Sequence, residues 1–228
     1  SGMSTVGIIG AGKVGTALGR LAQAAGWDVL FADAADPMMQ SMIIQTLVPG
    51  AQLVSVPELA DAADFIIVAV PFGLSPTVEW DALTGKIVVD AMNNWYAVDG
   101  HLAWMDGFQG ATAELTQSHN PAMRVVKSLN HLGYHDMETD SRPAGDPLRR
   151  ALAAASDDVE ARALVARFVD QIGFDPLLMS LADSKYLETD GPVFGMEMSA
   201  EQMLEVLNEA GGPGTATRFD GDSGTGLS

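Results

Sequence analysis

Apolar positions along the chain follow two alternating patterns. Short unbroken runs in "TVGIIG", "WDVLFAD", "DFIIVAV" and "GKIVVDAM" have the length of strands covered on both faces. Between them lie stretches with three- and four-residue spacing. Val14, Leu18, Leu21, Ala22 and Ala25 mark a helix after the first run, and Gly26 closes it. "MMQSMIIQTLV" predicts a second helix, "AQLVSV" a third strand and "PELADAA" a short helix. The fourth apolar run ends at Val70, before Pro71. "TAELTQSH" predicts part of a helix and "RVVKSLN" another strand.

"RALAAAS" suits strand or helix by periodicity alone. The "SDDVEARALVARFVDQIG" that follows is a helix, with Ser156 as N-cap, Asp157 and Asp158 in its first turn and Gly173 beyond its end. "RALAAAS" is therefore read as a strand feeding that helix. "FDPLLMS" predicts the last short strand and "SAEQMLEVLNEA" a capped terminal helix. "GGPGTATRFDGDSGTGLS" has no period and reads as a flexible tail.

Strands alternating with helices imply an α/β fold: a doubly wound, mostly parallel sheet with the carboxyl ends of its strands on one edge. A small C-terminal helical appendage follows. The expected organisation is a dinucleotide-binding domain over 3–182, a helical segment closing the substrate site over 183–212, and the tail over 213–228. "SGM" looks like a tag scar before the native start, so Ser1 and Gly2 carry no weight.

Composition narrows the function. The 228 residues are 47% hydrophobic and include no cysteine, which excludes disulfides, thiolate metal sites and cysteine nucleophiles. No apolar run reaches the about 18 residues that span a bilayer, and no signal peptide is visible, so a cytoplasmic protein is expected. The net charge of −18 opposes binding to nucleic acid or anionic membranes. A small-molecule redox substrate is the expected partner, and an apolar terminal segment is compatible with a homodimer.

"GAGKVG" places Gly10, Gly12 and Gly15 in the G-x-G-x-x-G pattern. It follows a strand and opens a helix, and Asp33 lies 18 residues beyond Gly15. This context identifies a Rossmann dinucleotide fingerprint. Gly10 permits the tight turn, Gly12 lets the backbone approach a pyrophosphate, and Gly15 allows close helix–strand packing. The helix N-terminus offers N–H groups to the phosphates. Asp33 is placed to accept hydrogen bonds from an adenosine ribose. A 2′-phosphate there would meet Asp33 and Asp36, with no Arg or Lys between Arg20 and Lys86. Like charges in a partly dry crevice repel even at an effective dielectric of about 20, which favours NAD(H). Lys13 partly offsets this.

The other strand ends add candidates. Val70 and Pro71 sit where a turn passes under the nicotinamide ribose, and Phe72 is placed to cover it. Asn93 and Asn94 end the fifth strand with groups suited to a carboxamide or ribose.

Together the motifs resemble the deazaflavin (coenzyme F-420)-dependent NADP oxidoreductase family. The likeness rests on "VGIIGAGKVGTALGRLAQAAGWDV", "IIVAVPFG", "LTGKIVVDAMNN", "RVVKSLNHL", "DDVEARALVARFVDQIGFDPL" and the late "SKYLETDGPVFG", and covers about residues 3–198. It implies hydride transfer between NADP(H) and a second carrier, a deazaflavin, stacked against the nicotinamide. Gly10, Gly12, Lys13, Val14 and Gly15 match the pyrophosphate loop, Val70 and Pro71 the nicotinamide side, and Asn130 to Gly133 the hydride-transfer face. After strand two the chain has "ADAADP" where NADP-binding members carry hydroxyl and arginine residues. Few basic residues stand ready for an anionic deazaflavin tail: Arg124, Lys127, Arg142, Arg149, Arg150 and Lys185.

"RVVKSLNHLGYHDM" holds the remaining chemistry. Lys127 in an apolar strand demands a partner or a path to solvent. Hydride transfer needs stacking and proximity more than a side-chain acid, so Asn130 and His131 are expected to position rather than to catalyse. His131 reads equally as a surface turn residue. A metal site from His131 and His135 lacks a third ligand and helical geometry, and none is expected. The substrate is expected between Asn130–Tyr134, including Leu132 and Gly133, and the "GPVFG" loop with Pro192 and Phe194. Phe194, Met196 and Met198 suit an apolar lid or partner surface, and equally core or dimer packing. Two rival functions remain: a non-catalytic dinucleotide sensor, and an imine or keto-acid reductase with Lys127, His131 or Tyr134 as proton donor.

Overall fold

The computed structural model describes residues 4–32, 36–221 and 226–227. Strands β1 (Thr5–Ile9), β2 (Asp28–Ala32), β3 (Gln52–Leu53), β4 (Phe65–Val68), β5 (Ile87–Asp90) and β6 (Arg124–Lys127) pair in parallel. Their spatial order, 3-2-1-4-5-6, is that of the dinucleotide-binding doubly wound sheet. Helices α1 (Lys13–Ala24), α2 (Pro37–Leu47), α3 (Val56–Ala62), α4 (Tyr96–Asp99) and α5 (Thr112–His119) lie between these strands. The apolar faces predicted from spacing are the buried ones: Leu18, Leu21 and Ala22 of α1 meet the sheet, and Gly26 leaves the helix with φ +95°. Phe65, Phe168 and Trp27 lock β4 edge-on to its neighbours at centroid distances of 5.0 to 5.5 Å.

The sheet continues through β7 (Ala151–Ala155), β8 (Asp175–Met179), β9 (Ala216–Phe219) and β10 (Gly226–Leu227). The ambiguous "RALAAAS" is a strand, β7. It runs antiparallel to β6, however, and parallel to β8, so the strand ends are not all on one edge. The reason is the connection. Helix α6 (Tyr134–Thr139) keeps the chain at the carboxyl edge after β6, and β7 must run back from there. Helix α7 (Val159–Gln171) is capped by Asp158, whose carboxylate accepts from the Ala161 amide, and not by Ser156. The Ser156 hydroxyl is spent on the Val125 carbonyl.

Helix α8 (Ala200–Gly211) has the expected cap, a reciprocal pair between Ser199 and Gln202. Its Met203 and Leu207 pack with Leu177, Leu187 and Ala216 over β7 to β9. The expected flexible tail is corrected here. Residues 216–219 form β9, paired antiparallel with β8, so β8 is not the last strand. Ala216 is buried and exchanges hydrogen bonds with the Asn208 side chain. Backbone pairing and this amide clasp hold a segment whose glycine content suggested freedom.

Candidate functional site

The glycine turn joins β1 to α1. Gly10 has φ +114°, and a Cβ there would lie 2.7 Å from the Ala69 carbonyl oxygen. A Cβ on Gly15 would collide with the Gly10 carbonyl. Around Gly12 the situation is opposite: a Cβ would meet nothing within 4 Å. Gly10 and Gly15 are therefore required by packing, whereas Gly12 faces open space. No side chain caps α1, and its first turn carries no acidic residue. An anion is thus the natural occupant of its N-terminus, and the turn fits a dinucleotide pyrophosphate. A cavity of about 370 Å³ runs from Gly10 and Gly12 past Val70 and Pro71 to Val54 and Val78. Lys13 reaches the other way, donating to the Tyr134 hydroxyl at 3.3 Å over that ring. Val14 packs on the core.

Several expected residues stand elsewhere. Asp33 lies outside the described residues. Strand β4 ends at Val68, two residues earlier than expected, and Val70 and Pro71 belong to the turn beyond it. Phe72 is 1% exposed and packs 5.5 Å from Trp104, so it does not cover the cavity. Leu132 is also part of the core, while Gly133 and Pro192 are exposed.

Asn93 and Asn130 join the ends of β5 and β6 reciprocally. The Asn93 side-chain amide donates to the Asn130 carbonyl at 2.8 Å, and the Asn130 amide donates to Asn93 Oδ1 at 3.1 Å and to the Leu187 carbonyl at 2.8 Å. Leu129, buried and with φ +67°, makes the turn that aims Asn130. This is a costly conformation for a residue with a Cβ, of the kind held at functional sites. Asn130 Oδ1 is buried with no hydrogen-bond partner among the described residues. Thr189 donates to the Asn94 carbonyl, Trp95 meets Phe194 edge-on at 5.7 Å, and the Gly195 amide donates to the His131 carbonyl. The segment from Leu187 to Gly195 is thereby seated across the ends of β5 and β6.

His131 is not a surface turn residue. It is buried, and Nε2 accepts from the Ala153 amide at 3.1 Å. Strands β6 and β7 share one paired position, Lys127 with Ala155, so nearby backbone groups need side-chain partners. His131 serves the Ala153 amide and Ser128 the Ala153 carbonyl. Burial pushes the His131 pKa down to about 3, with the charges of Arg150 and Lys127 adding to it. The ring is therefore neutral, with its proton on Nδ1, and is not a proton donor. Lys127 is equally enclosed. It is held by Asp90 at 3.1 Å and the Met92 carbonyl at 2.5 Å, while Thr116 donates to the other Asp90 oxygen.

One acidic residue was not singled out from sequence. Glu188 lies between Leu187 and Thr189, the residues that touch Asn130 and Asn94. Burial raises its pKa, opposed by the Lys127 charge and by hydrogen bonds from Thr112. Only the fold brings it there; its sequence neighbourhood carries no motif. The arginines considered for an anionic tail are mostly committed. Arg124 pairs with Asp158, Arg149 with Asp170 and Asp175, and Arg150 with Asp140. Among the described residues there is no cluster of three metal-ligating side chains, and no helix is long and apolar enough to cross a membrane.

The strand order, the glycine turn and the cavity beside it define the class: a Rossmann-type, NAD(P)-dependent oxidoreductase. Residues 5–94 match the family described as "NADP oxidoreductase coenzyme F420-dependent", which bears out the resemblance over the nucleotide-binding segment. A hypothetical protein from Sinorhizobium meliloti is 26% identical, with TM-score 0.71 over 86% of this chain and 96% of that one. A putative F420-dependent NADP-reductase from Arthrobacter is 22% identical, with TM-score 0.63 over 79% and 86%. An imine reductase from Myxococcus stipitatus in complex with NADP+ is 16% identical, with TM-score 0.57 over 80% of this chain but 58% of that one. No curated protein matches the chain.

Proposed function

We propose that the protein transfers hydride between a nicotinamide dinucleotide and a second planar carrier of flavin or deazaflavin type. The observation that carries this reading is Gly12: an open-faced glycine at an uncapped helix N-terminus, beside a cavity that extends along the strand ends. Gly10 to Gly15 hold the pyrophosphate, and Val70 and Pro71 flank the nicotinamide. Asn93 and Asn130 orient it, the unpartnered Asn130 Oδ1 being suited to accept from the carboxamide. The nicotinamide supplies or accepts the hydride; the protein's part is alignment and exclusion of water. Trp95 and Phe194, in edge-to-face contact, are the candidate ring surfaces for the second carrier. Asp33 and Asp36 favour NAD(H); the matched family's description names NADP.

Anaerobic absorbance assays with NADH and NADPH against deazaflavin and flavin acceptors test the reading. Oxidation of a nicotinamide coupled to reduction of such a carrier is expected. Saturable binding without turnover on any acceptor would point instead to a sensor.

Glu188 favours a second reading, reduction of an imine or keto acid. A carboxyl group whose pKa burial raises, on the segment whose Leu187 and Thr189 touch Asn130 and Asn94, is the candidate to supply the proton such substrates need. Glu188→Gln would then remove one limb of the pH–rate profile, which simple hydride exchange does not require.

A further inference from the structure

Helix α2 lies beyond β2 and contributes one polar side chain, Gln40, to the wall of the cavity that starts at Gly10 and Gly12. Gln40 Oε1 is buried and has no hydrogen-bond partner among the described residues. A buried acceptor left without a donor is destabilising, and most such groups have a reason to exist. The Gln40 amide needs only rotation about its last, soft torsion to turn this oxygen into the cavity. Ser55, Thr77 and Glu79 also line the cavity. Ser55 is already engaged: it donates to Glu58 and accepts from the Glu58 amide. The apolar lining of Val54, Val56, Leu74 and Val78 suits a flat aromatic base.

We infer that Gln40 is the residue that seats the adenosine half of the dinucleotide, accepting a hydrogen bond from one of its donors. The inference rests on the dinucleotide reading above and adds a residue that no motif identifies. Adenosine has two kinds of donor, the ribose hydroxyls and the amino group of the base. A 2′-phosphate offers only acceptors. If the donor is a ribose hydroxyl, a phosphate in its place would meet the Gln40 oxygen in a cavity that Glu79 also lines, and the site then selects for an unphosphorylated ribose.

Fluorescence titration of the full chain with NADH, NADPH and the hypoxanthine analogue of NADH, which lacks the amino group, tests this. Gln40→Ala is expected to weaken NADH about three- to tenfold. An equal loss with the analogue assigns the donor to the ribose, whereas no loss with the analogue assigns it to the base. Gln40→Glu keeps the size and leaves only acceptors. It is expected to bind NADH more tightly than Gln40→Ala does, and NADPH more weakly than the wild type. NADH affinity unchanged in Gln40→Ala would overturn the assignment and leave nucleotide binding intact; if the analogue assigns the donor to the ribose, NADPH affinity unchanged in Gln40→Glu would overturn it as well. A wild-type chain that binds none of the three nucleotides would instead remove the dinucleotide reading, and this inference with it.

Discussion

The ammonium of Lys127 lies 3.1 Å from the carboxylate of Asp90, and neither side chain has exposed surface. The pair ties β6 to β5 directly behind the residues proposed to orient the nicotinamide. Its remaining valences are filled by the Met92 amide and carbonyl and by Thr116. Such a pair adds little net stability, but breaking it leaves a buried charge alone. Lys127→Met is expected to cost about 3–5 kcal/mol in chemical denaturation. Adding Asp90→Leu to Lys127→Met should recover much of that loss. A double variant as unstable as the single would show that the pair's hydrogen bonds, not its charges, matter.

His131 makes stability depend on pH. Its folded-state pKa of about 3 lies below the ordinary value of 6.5. The contribution is therefore full above pH 6.5 and is lost as pH falls towards 3, because the unfolded chain takes up the proton first. Between pH 7 and pH 5 this single group should remove about 2 kcal/mol of unfolding free energy. Comparing the wild type with His131→Asn at both pH values isolates the effect from that of the carboxylates. Equal pH dependence in the two proteins would contradict a buried neutral ring.

The three glycines of the turn should fail in different ways. Gly15→Ala forces a Cβ into the Gly10 carbonyl and should lower the melting temperature. Gly12→Ala has room in the folded chain, so its melting temperature should stay near that of the wild type. Nucleotide affinity should nevertheless fall at least about tenfold, since the methyl group occupies the approach to the pyrophosphate. Undiminished binding by Gly12→Ala would place the phosphates elsewhere.

Cofactor preference is open to direct test at the end of β2. Asp33→Ser combined with Ala34→Arg removes the carboxylate and adds a guanidinium directly after β2 in sequence, where the fingerprint leads one to expect ribose recognition. The NADPH/NADH affinity ratio should rise by about tenfold or more. An unchanged ratio would separate Asp33 from ribose recognition.

The nucleotide half was legible in the chain because its signals are local. "GAGKVG" needs only neighbouring residues to define its turn, and the runs that became β1, β2, β4 and β5 are apolar because both faces are covered. "RALAAAS" was resolved as a strand by the capped helix after it, though not its direction, which depends on where the chain goes after β6. Asn130 and His131 looked alike as polar residues at a strand end. The fold separates them: His131, together with Ser128, bridges the β6–β7 junction, and Asn130 pairs with Asn93.

By itself, then, the sequence determined the strand–helix alternation, the phosphate-binding turn and the amphipathic faces, since each follows from spacing over a few residues. Only the tertiary structure decided that Lys127 meets Asp90, that His131 is withdrawn and neutral, that residues 216–219 add a strand to the sheet, and that Gln40 and Glu188 approach the site. These depend on burial and on partners 30 or more residues away in most cases, and burial sets both the cost of a charge and the need for each hydrogen bond.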